Sequence, residues 1–169
     1  MASTTMLPVS DYLAKTWHPD REYVDGELLE RNVGQVDHAR LQIVIAAFLF
    51  RLESELRISA LTEVRVQVKP TRFRIPDICV VLGGVRDEPA LNRPPFVCIE
   101  ILSKDDTMSS MQERINDFLD FGVPHVWLID PRLKCCYVYT PDGMRRIADG
   151  DLITANPEIR VPLSEIWAR

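Results

Sequence analysis

The pattern of apolar and polar positions predicts two long helices. Between Val36 and Leu56, apolar residues recur every three or four positions, which is the period of an α-helix. A second helical pattern runs from Ser110 to Phe121. Ser110 and Glu113 have the spacing of a capping box, and Gly122 supplies a stop for this helix.

Strand patterns fill the segments between and after these helices. Consecutive strands are predicted at residues 60–69, 73–82 and 96–102, and a fourth at 125–130. Residues 8–16 predict a short helix, and hairpins are expected at 21–30, turning at Asp25-Gly26, and at 134–147. The predicted fold class is therefore α/β, and more specifically an α+β fold built on a mixed sheet. Its core order is helix, three strands, helix, strand, with an N-terminal helix and hairpin and a C-terminal hairpin added.

Composition narrows the class of protein. The 169 residues, 46% of them hydrophobic, suit one globular domain over residues 1–169. Neither a membrane-length apolar run nor a secretory signal is evident, so the expected location is the cytoplasm. The four cysteines lack metal-binding spacing and are interpreted as buried thiols. A net charge of −5 argues against coating nucleic acid by bulk attraction, but it is compatible with a nuclease that has a metal site.

The helix predicted for Val36 to Leu56 is apolar on nearly every face. Such a helix is either deeply buried or shared with a second copy of the chain. The sequence leaves both alternatives open.

Two carboxylates interrupt the most apolar strands. Asp77 and Glu100 would be costly to bury without compensation. If their strands pair antiparallel with Asp77 opposite Glu100, Cys79 faces Cys98 and the two carboxylates share one face of the sheet. Like charges at that distance repel unless they share a proton or a divalent cation. The alternative is that each carboxylate lies at a strand end, paired with an arginine such as Arg74 or Arg114.

Several segments, in order, resemble a known family. They are Pro76-Asp77, the strand end Glu100-Ile101-Leu102-Ser103, residues 122–131, the early segment 22–28, and Gly34 with His38. Together they resemble the Uma-two family of restriction-endonuclease-like proteins, a branch of the PD-(D/E)xK nuclease superfamily. The similarity spans residues 8–167.

The resemblance implies a mixed sheet flanked by helices and a site that hydrolyses phosphodiester bonds. It implies Asp77 and Glu100 as ligands of Mg²⁺ or Mn²⁺, with the main-chain carbonyl of Ile101 as an extra ligand. Glu22 would be a further acidic member of the site. The expected substrate is DNA, and a homodimer would place two sites against the two strands of a duplex.

The chain departs from the superfamily pattern at its lysine. In the superfamily a lysine usually stands two residues after the second acid, and here that position is Leu102. In the Uma-like branch the lysine lies instead in the following helix, at the position of Arg114 in this chain. Arginine stays protonated, so Arg114 is expected to stabilise phosphate charge rather than act as a base. Lys104 is a weaker substitute. This departure keeps a rival hypothesis open, a catalytically weak or inert nucleic-acid-binding or assembly module.

Further polar residues have two interpretations each. His38 could orient a substrate phosphate or a catalytic water, or it could bond to nearby backbone at the helix start. The basic residues Arg65, Lys69, Arg72 and Arg74 could line a DNA groove or form a solvated strand edge.

Overall fold

The structure, a computed structural model, describes residues 6–31 and 35–167; Gly34, which belongs to the resemblance above, lies outside them. The helices of the described chain are α1 Val9–Leu13, α2 Val36–Leu56, α3 Met108–Phe121 and α4 Leu163–Trp167. The strands are β1 Arg21–Val24, β2 Glu27–Glu30, β3 Ile58–Thr62, β4 Val66–Lys69, β5 Arg72–Arg74, β6 Ile78–Leu82, β7 Val97–Ile101, β8 His125–Asp130, β9 Cys135–Thr140, β10 Gly143–Ile147, β11 Asp151–Ile153 and β12 Arg160–Pro162.

A six-stranded mixed sheet forms the centre of the fold, in the order β10-β9-β8-β7-β6-β3. The pair β7–β8 is parallel and α3 makes the crossover, whereas the other neighbours are antiparallel. Side chains alternate along β7, so Ile99 joins the core under α2 and Cys98 joins the core under α3. The mixed sheet with helices on both faces confirms the predicted fold class.

A smaller sheet, β2-β1-β5-β4, carries the N-terminal hairpin. Asp25 and Gly26 both have positive φ, 49° and 100°, as a tight turn between β1 and β2 requires. Tyr12 of α1 stacks on Tyr23 of β1 and packs against Phe73 of β5, which gives this sheet its own core. The small sheet therefore presents β1 and β5 to the end of the large sheet.

Two of the predicted strands are each divided between the two sheets, which corrects the predicted strand bounds. The segment 60–69 becomes β3 and β4, separated at Glu63, which has φ 54°. The segment 73–82 becomes β5 and β6, separated by Ile75-Pro76-Asp77. Proline has no N–H to donate to a sheet, so the ladder is interrupted there. The core order of helix, three strands, helix, strand is kept in the large sheet.

The ends of the long helices agree with the sequence in part. Helix α2 spans the predicted Val36–Leu56, and Gly122 ends α3 with φ 105°. The predicted capping box of Ser110 with Glu113 is wrong. Thr107 caps α3 instead, because its hydroxyl accepts a hydrogen bond from the Ser110 N–H at 3.2 Å.

Burial settles two further expectations. Cys79, Cys98, Cys135 and Cys136 are all buried and free, as predicted. Helix α2 is not fully buried in one chain, because Ile43 and Phe50 are 63% and 67% exposed. None of the helices described is long and apolar enough to cross a bilayer.

Candidate active site

The register between β6 and β7 brings the two strand carboxylates together. Cys79 lies opposite Cys98, and the ladder runs from Ile78–Ile99 to Val80–Val97, in the predicted register. Asp77 precedes β6, and its Oδ2 accepts a hydrogen bond from the Ile101 N–H at 2.8 Å. Asp77 therefore continues the ladder through its side chain and reaches the end of β7 beside Glu100.

A cavity of about 390 Å³ opens at this point, between the small sheet, α2 and α3. Glu22, His38, Asp77, Ile101 and Arg114 all line it. Glu100 lies beneath the lining, 1% exposed. Lys104 is exposed and is not among the lining residues, so the structure does not place this candidate with the others.

Asp77 is held by three donors. Arg31 Nη2 donates to Oδ1 at 2.6 Å, while His38 Nε2 lies 3.1 Å from Oδ2, which also accepts from Ile101. Burial raises the pKa of Asp77, but the hydrogen bond from His38 and the charge of Arg31 outweigh burial and hold the pKa below its usual value. The same hydrogen bond raises the pKa of His38, which favours the protonated imidazole beside this carboxylate.

Glu100 is compensated less completely. Arg114 Nη1 donates to Oε2 at 3.0 Å, which confirms the arginine pairing considered as the alternative for this carboxylate. Among the described residues, the buried Oε1 of Glu100 has no hydrogen-bond partner. Burial outweighs the charge of Arg114 and raises the pKa of Glu100 to about 8. Glu100 therefore takes up a proton easily and has one oxygen free to accept a ligand.

Glu22 belongs to a different arrangement. Arg74 Nη1 donates to its Oε2 at 2.8 Å and the Ile75 N–H donates to its Oε1 at 3.0 Å. Arg74 in turn donates from Nε to Asp117 Oδ2 at 2.8 Å. Glu22 and Arg74 line the cavity but are almost fully buried, and both oxygens of Glu22 already accept hydrogen bonds from protein donors.

Arg114 links these two arrangements. It projects from α3, with Nη1 on Glu100 and Nε 3.5 Å from Glu22 Oε1. Burial alone would lower the pKa of Arg114, but the carboxylates of Glu100 and Glu22 raise it by more than burial lowers it. The net pKa is therefore raised, and the guanidinium keeps its charge. This agrees with a role in binding anionic oxygen and excludes a role as a base.

The basic residues considered for a DNA groove are mostly paired with acids or backbone. Lys69, Arg72 and Arg74 all approach the carboxylate of Asp117 within 3.4 Å. Arg65 donates to the main-chain oxygen of Lys15. The pairing with Asp117 and with the main chain of Lys15 weakens the DNA-groove interpretation, whereas Lys69, 45% exposed, agrees with a solvated edge.

Sequence reasoning missed three contributors. Arg31 follows β2 without any pattern that marks it, and Gln42 of α2 donates to the main-chain oxygen of Asp77 at 3.0 Å. Asp117 carried a usable signal, since it is an acid lying beside the apolar residues Ile115 and Phe118 of α3. His38 bonds to a distant side chain, so the alternative of local backbone bonding is wrong.

The comparison with known families agrees with this geometry. The profile of the Uma2 family, described as "Putative restriction endonuclease", matches residues 11–163. The chain belongs to the Uma2 family. The fold also matches a crystal structure described as "a putative nuclease belonging to DUF820" from Anabaena variabilis ATCC 29413. The TM-score is 0.81 with 21% identity, over 96% of this chain and 98% of that one, and likeness at this identity shows the fold alone. No match was found among curated proteins.

The side chains of this Uma2 protein fit the divalent ion that nuclease folds of this type use, with one condition. Carboxylate and carbonyl oxygens suit Mg²⁺ or Mn²⁺, and Glu100 Oε1 is a buried oxygen without a partner among the described residues. Within residues 6–31 and 35–167, however, no three His, Cys, Asp or Glu side chains already converge as a metal site. Both oxygens of Asp77 accept hydrogen bonds, and the one donor to Oδ1 is the guanidinium of Arg31, so an ion bound at Oδ1 would lie against a positive charge.

Proposed function

We propose that this Uma2 protein is a metal-dependent endonuclease that hydrolyses phosphodiester bonds in DNA. The observation that carries the proposal is that Asp77 and Arg114 line one cavity, with Glu100 buried beneath its lining and bound to Arg114. Seven acidic and three arginine side chains line this cavity, so it is negatively charged overall and attracts cations. A phosphate would enter it only together with a cation.

Each side chain has a defined task in this proposal. Asp77, Glu100 and the carbonyl of Ile101 would hold Mg²⁺ or Mn²⁺, which when bound polarises a phosphate and lowers the pKa of a water molecule. Arg114 offers a permanent charge to the phosphate oxygens as negative charge develops there. His38, fixed by Asp77, presents its imidazole at the cavity and would orient a phosphate or a water molecule. Glu22 acts through Arg74 and Arg114 and holds the latter in place.

A specific observation favours the rival function, an inert nucleic-acid-binding or assembly module. The two carboxylates that would bind metal both have arginine partners, Arg31 and Arg114, and none of the lysines in the described ranges lines the cavity. A protein with this arrangement would bind its partner without cleaving it.

Plasmid cleavage separates the two functions. Supercoiled DNA and a labelled RNA are incubated with the protein and Mg²⁺ or Mn²⁺, beside the variants Asp77→Asn and Glu100→Gln. Glu55→Gln, an exposed acid on α2, is the matched control. The proposal predicts metal-dependent nicking of DNA that both site variants reduce at least about 100-fold and the control leaves intact. DNA retardation on a gel without cleavage would support the rival.

We further propose that the chain forms a homodimer through α2 and works in the cytoplasm. A dimer would place one site against each strand of a DNA duplex. Val36, Ile43 and Phe50 are 84%, 63% and 67% exposed and are spaced by seven residues, so they form one stripe. An antiparallel second copy centred on Ile43 would place Val36 against Phe50. It would also place Asp37 opposite Arg51, since both lie on the same flank of the stripe.

Sedimentation equilibrium tests the dimer. Ile43→Glu is expected to yield monomers, because a charge at the centre of the interface would be buried without a partner. Ile153→Glu changes an exposed isoleucine of β11, 38% exposed, and should leave the dimer intact. A monomeric unmodified protein, or a dimer that survives Ile43→Glu, would overturn this proposal.

A further inference from the structure

Arg31 occupies the Oδ1 oxygen of Asp77, and both residues line the cavity. Its Nη2 lies 2.6 Å from Oδ1, while Oδ2 is shared by His38 and the main-chain N–H of Ile101. The Ile101 N–H is fixed within β7, and His38 is fixed within α2. Arg31 lies just beyond β2, and its guanidinium is at the end of a long side chain that lines the cavity. Of the three donors, Arg31 is therefore the one that can withdraw with the least disturbance of the fold.

Arg31 also has a second acid within reach. Its Nη1 lies 3.7 Å from Glu63 Oε1, and the Glu63 side chain is 48% exposed, whereas that of Asp77 is 3% exposed. A small rotation of the guanidinium would exchange a buried partner for an exposed one. The charge of Arg31 would stay paired after it had left Asp77.

The arginines that pair with Asp77 and with Glu100 differ in this respect. Arg114 holds Oε2 of Glu100 and leaves Oε1 without a partner in the described chain, so a cation could bind Glu100 while Arg114 stays. A cation bound to Asp77 at Oδ1 would meet the guanidinium of Arg31 at contact distance. Two positive charges so close together repel, especially where the side chains are shielded from water.

We infer that Arg31 is a displaceable counter-ion of Asp77, which neutralises this buried carboxylate without metal and moves towards Glu63 when a divalent cation binds. The inference rests on the proposed metal site and adds to it a residue that competes with the metal. Two consequences follow. Arg31 lowers the affinity for the metal, and it stabilises the protein when metal is absent.

Calorimetric titration with Mn²⁺ tests the inference on the full chain. Arg31→Gln is expected to bind Mn²⁺ about tenfold more tightly, because the ion no longer has to break a charged hydrogen bond. Arg40→Gln removes the same charge from an exposed position of α2 and is expected to change the affinity less than twofold. Arg31→Gln should also melt at a lower temperature than the unmodified protein in EDTA, and should gain more in melting temperature when Mn²⁺ is added.

The outcomes distinguish this inference from the proposed function. If the unmodified protein binds Mn²⁺ through Asp77, as shown by loss of binding in Asp77→Asn, but Arg31→Gln binds no more tightly, only the role of Arg31 is overturned. If neither the unmodified protein nor Arg31→Gln binds Mn²⁺, the metal site itself fails and both ideas fall. Binding by Arg31→Gln alone would support the inference in its strongest form.

A second measurement keeps the test valid if Arg31→Gln does not fold. Side-chain ¹⁵N spectra of the unmodified protein, with Arg31 assigned through Arg31→Lys, are followed during titration with diamagnetic Mg²⁺. During the titration the Nε–H signal of Arg31 is expected to shift, and its proton is expected to exchange faster with water. Both changes should have the same midpoint as Mg²⁺ binding. A signal that stays unchanged while Mg²⁺ binds would contradict displacement.

Discussion

The two sides of the cavity contain the same residue types but differ in how completely their charges are satisfied. On the small-sheet side, Glu22, Arg74 and Asp117 form a buried network in which both oxygens of Glu22 have donors. On the large-sheet side, Glu100 retains a buried oxygen without a partner among the described residues, and Asp77 depends on the long side chain of Arg31. A satisfied network fixes structure, whereas an incompletely satisfied one can exchange partners with a ligand.

This contrast assigns the acids different roles. The family resemblance groups Glu22 with Asp77 and Glu100, but its contacts with Arg74, Arg114 and the Ile75 N–H support the proposal that it positions the two arginines. Asp77 and Glu100 remain the candidates for contact with metal. The comparison can be tested by substitutions that damage one side and spare the other.

The largest effect on stability is expected for Arg74→Ala. Its loss leaves Glu22 and Asp117 buried with less compensation, which typically costs about 3–5 kcal/mol of the free energy of unfolding. Urea denaturation measures this change. Arg160→Gln, which breaks an exposed pair with Asp151, is the control and should leave the midpoint unchanged. A small loss for Arg74→Ala would mean that the network is not a scaffold.

Arg114 is expected to affect cleavage more than folding. Arg114→Ala should slow DNA nicking by about 100-fold, since it removes a charge that is aimed at the phosphate. Arg114→Lys should retain most of the rate, because the positive charge is kept. Initial rates at saturating Mg²⁺ measure both variants. Equal losses in the two variants would show that the guanidinium geometry, and not charge alone, is required.

Glu100→Gln is expected to alter the dependence of stability on pH. The pKa of Glu100 is raised to about 8 by burial, so the folded protein binds a proton that the unfolded chain releases near pH 4.5. The stability contributed by this proton is present at low pH and is lost as pH rises towards 8. In EDTA, Glu100→Gln should therefore become progressively more stable than the unmodified protein, by at most about 1.4 kcal/mol per pH unit. Glu55→Gln should show no such trend.

The smallest effect is expected for a substitution at the cap of α3, the helix that contributes Arg114 and Asp117 to the two sides of the cavity. Thr107→Ala removes the hydrogen bond to the Ser110 N–H and should cost about 1 kcal/mol of the free energy of unfolding. The rate of nicking by the folded protein should not change. Thermal melts and rates measured on the same samples check this, and a selective loss of rate would show that the cap shapes the site.

The sequence predicted a large part of the fold because the relevant signals were local or periodic. Helix α2 was predicted with its observed bounds, since apolar spacing defines a helical face directly. The hypothesis that Asp77 lies opposite Glu100 predicted, through alternation along two strands, that Cys79 faces Cys98, and this pairing is observed. The single-domain organisation and the roles of Asp77, Glu100 and Ile101 as ligands stay predictions.

The parts that failed depend on where distant segments meet. The segments 60–69 and 73–82 are divided at Glu63 and at Ile75-Pro76-Asp77, but only the folded chain shows that the two halves of each segment join different sheets. The cap of α3 moved from Ser110 to Thr107, because several hydroxyl residues there could start a helix. In the structure it is Thr107 whose hydroxyl accepts a hydrogen bond from a first-turn N–H.

The sequence by itself therefore determined helix α2, the order of the core elements and the presence of one carboxylate beside or within each of two apolar strands, because periodicity and strand alternation are properties of adjacent residues. Only the tertiary structure decided which cation each carboxylate receives. Arg31 reaches Asp77 across 46 positions, and Arg74 reaches Glu22 across 52. Such pairings depend on burial and on the direction of long side chains, and those are fixed only when the two sheets and α3 close around the cavity.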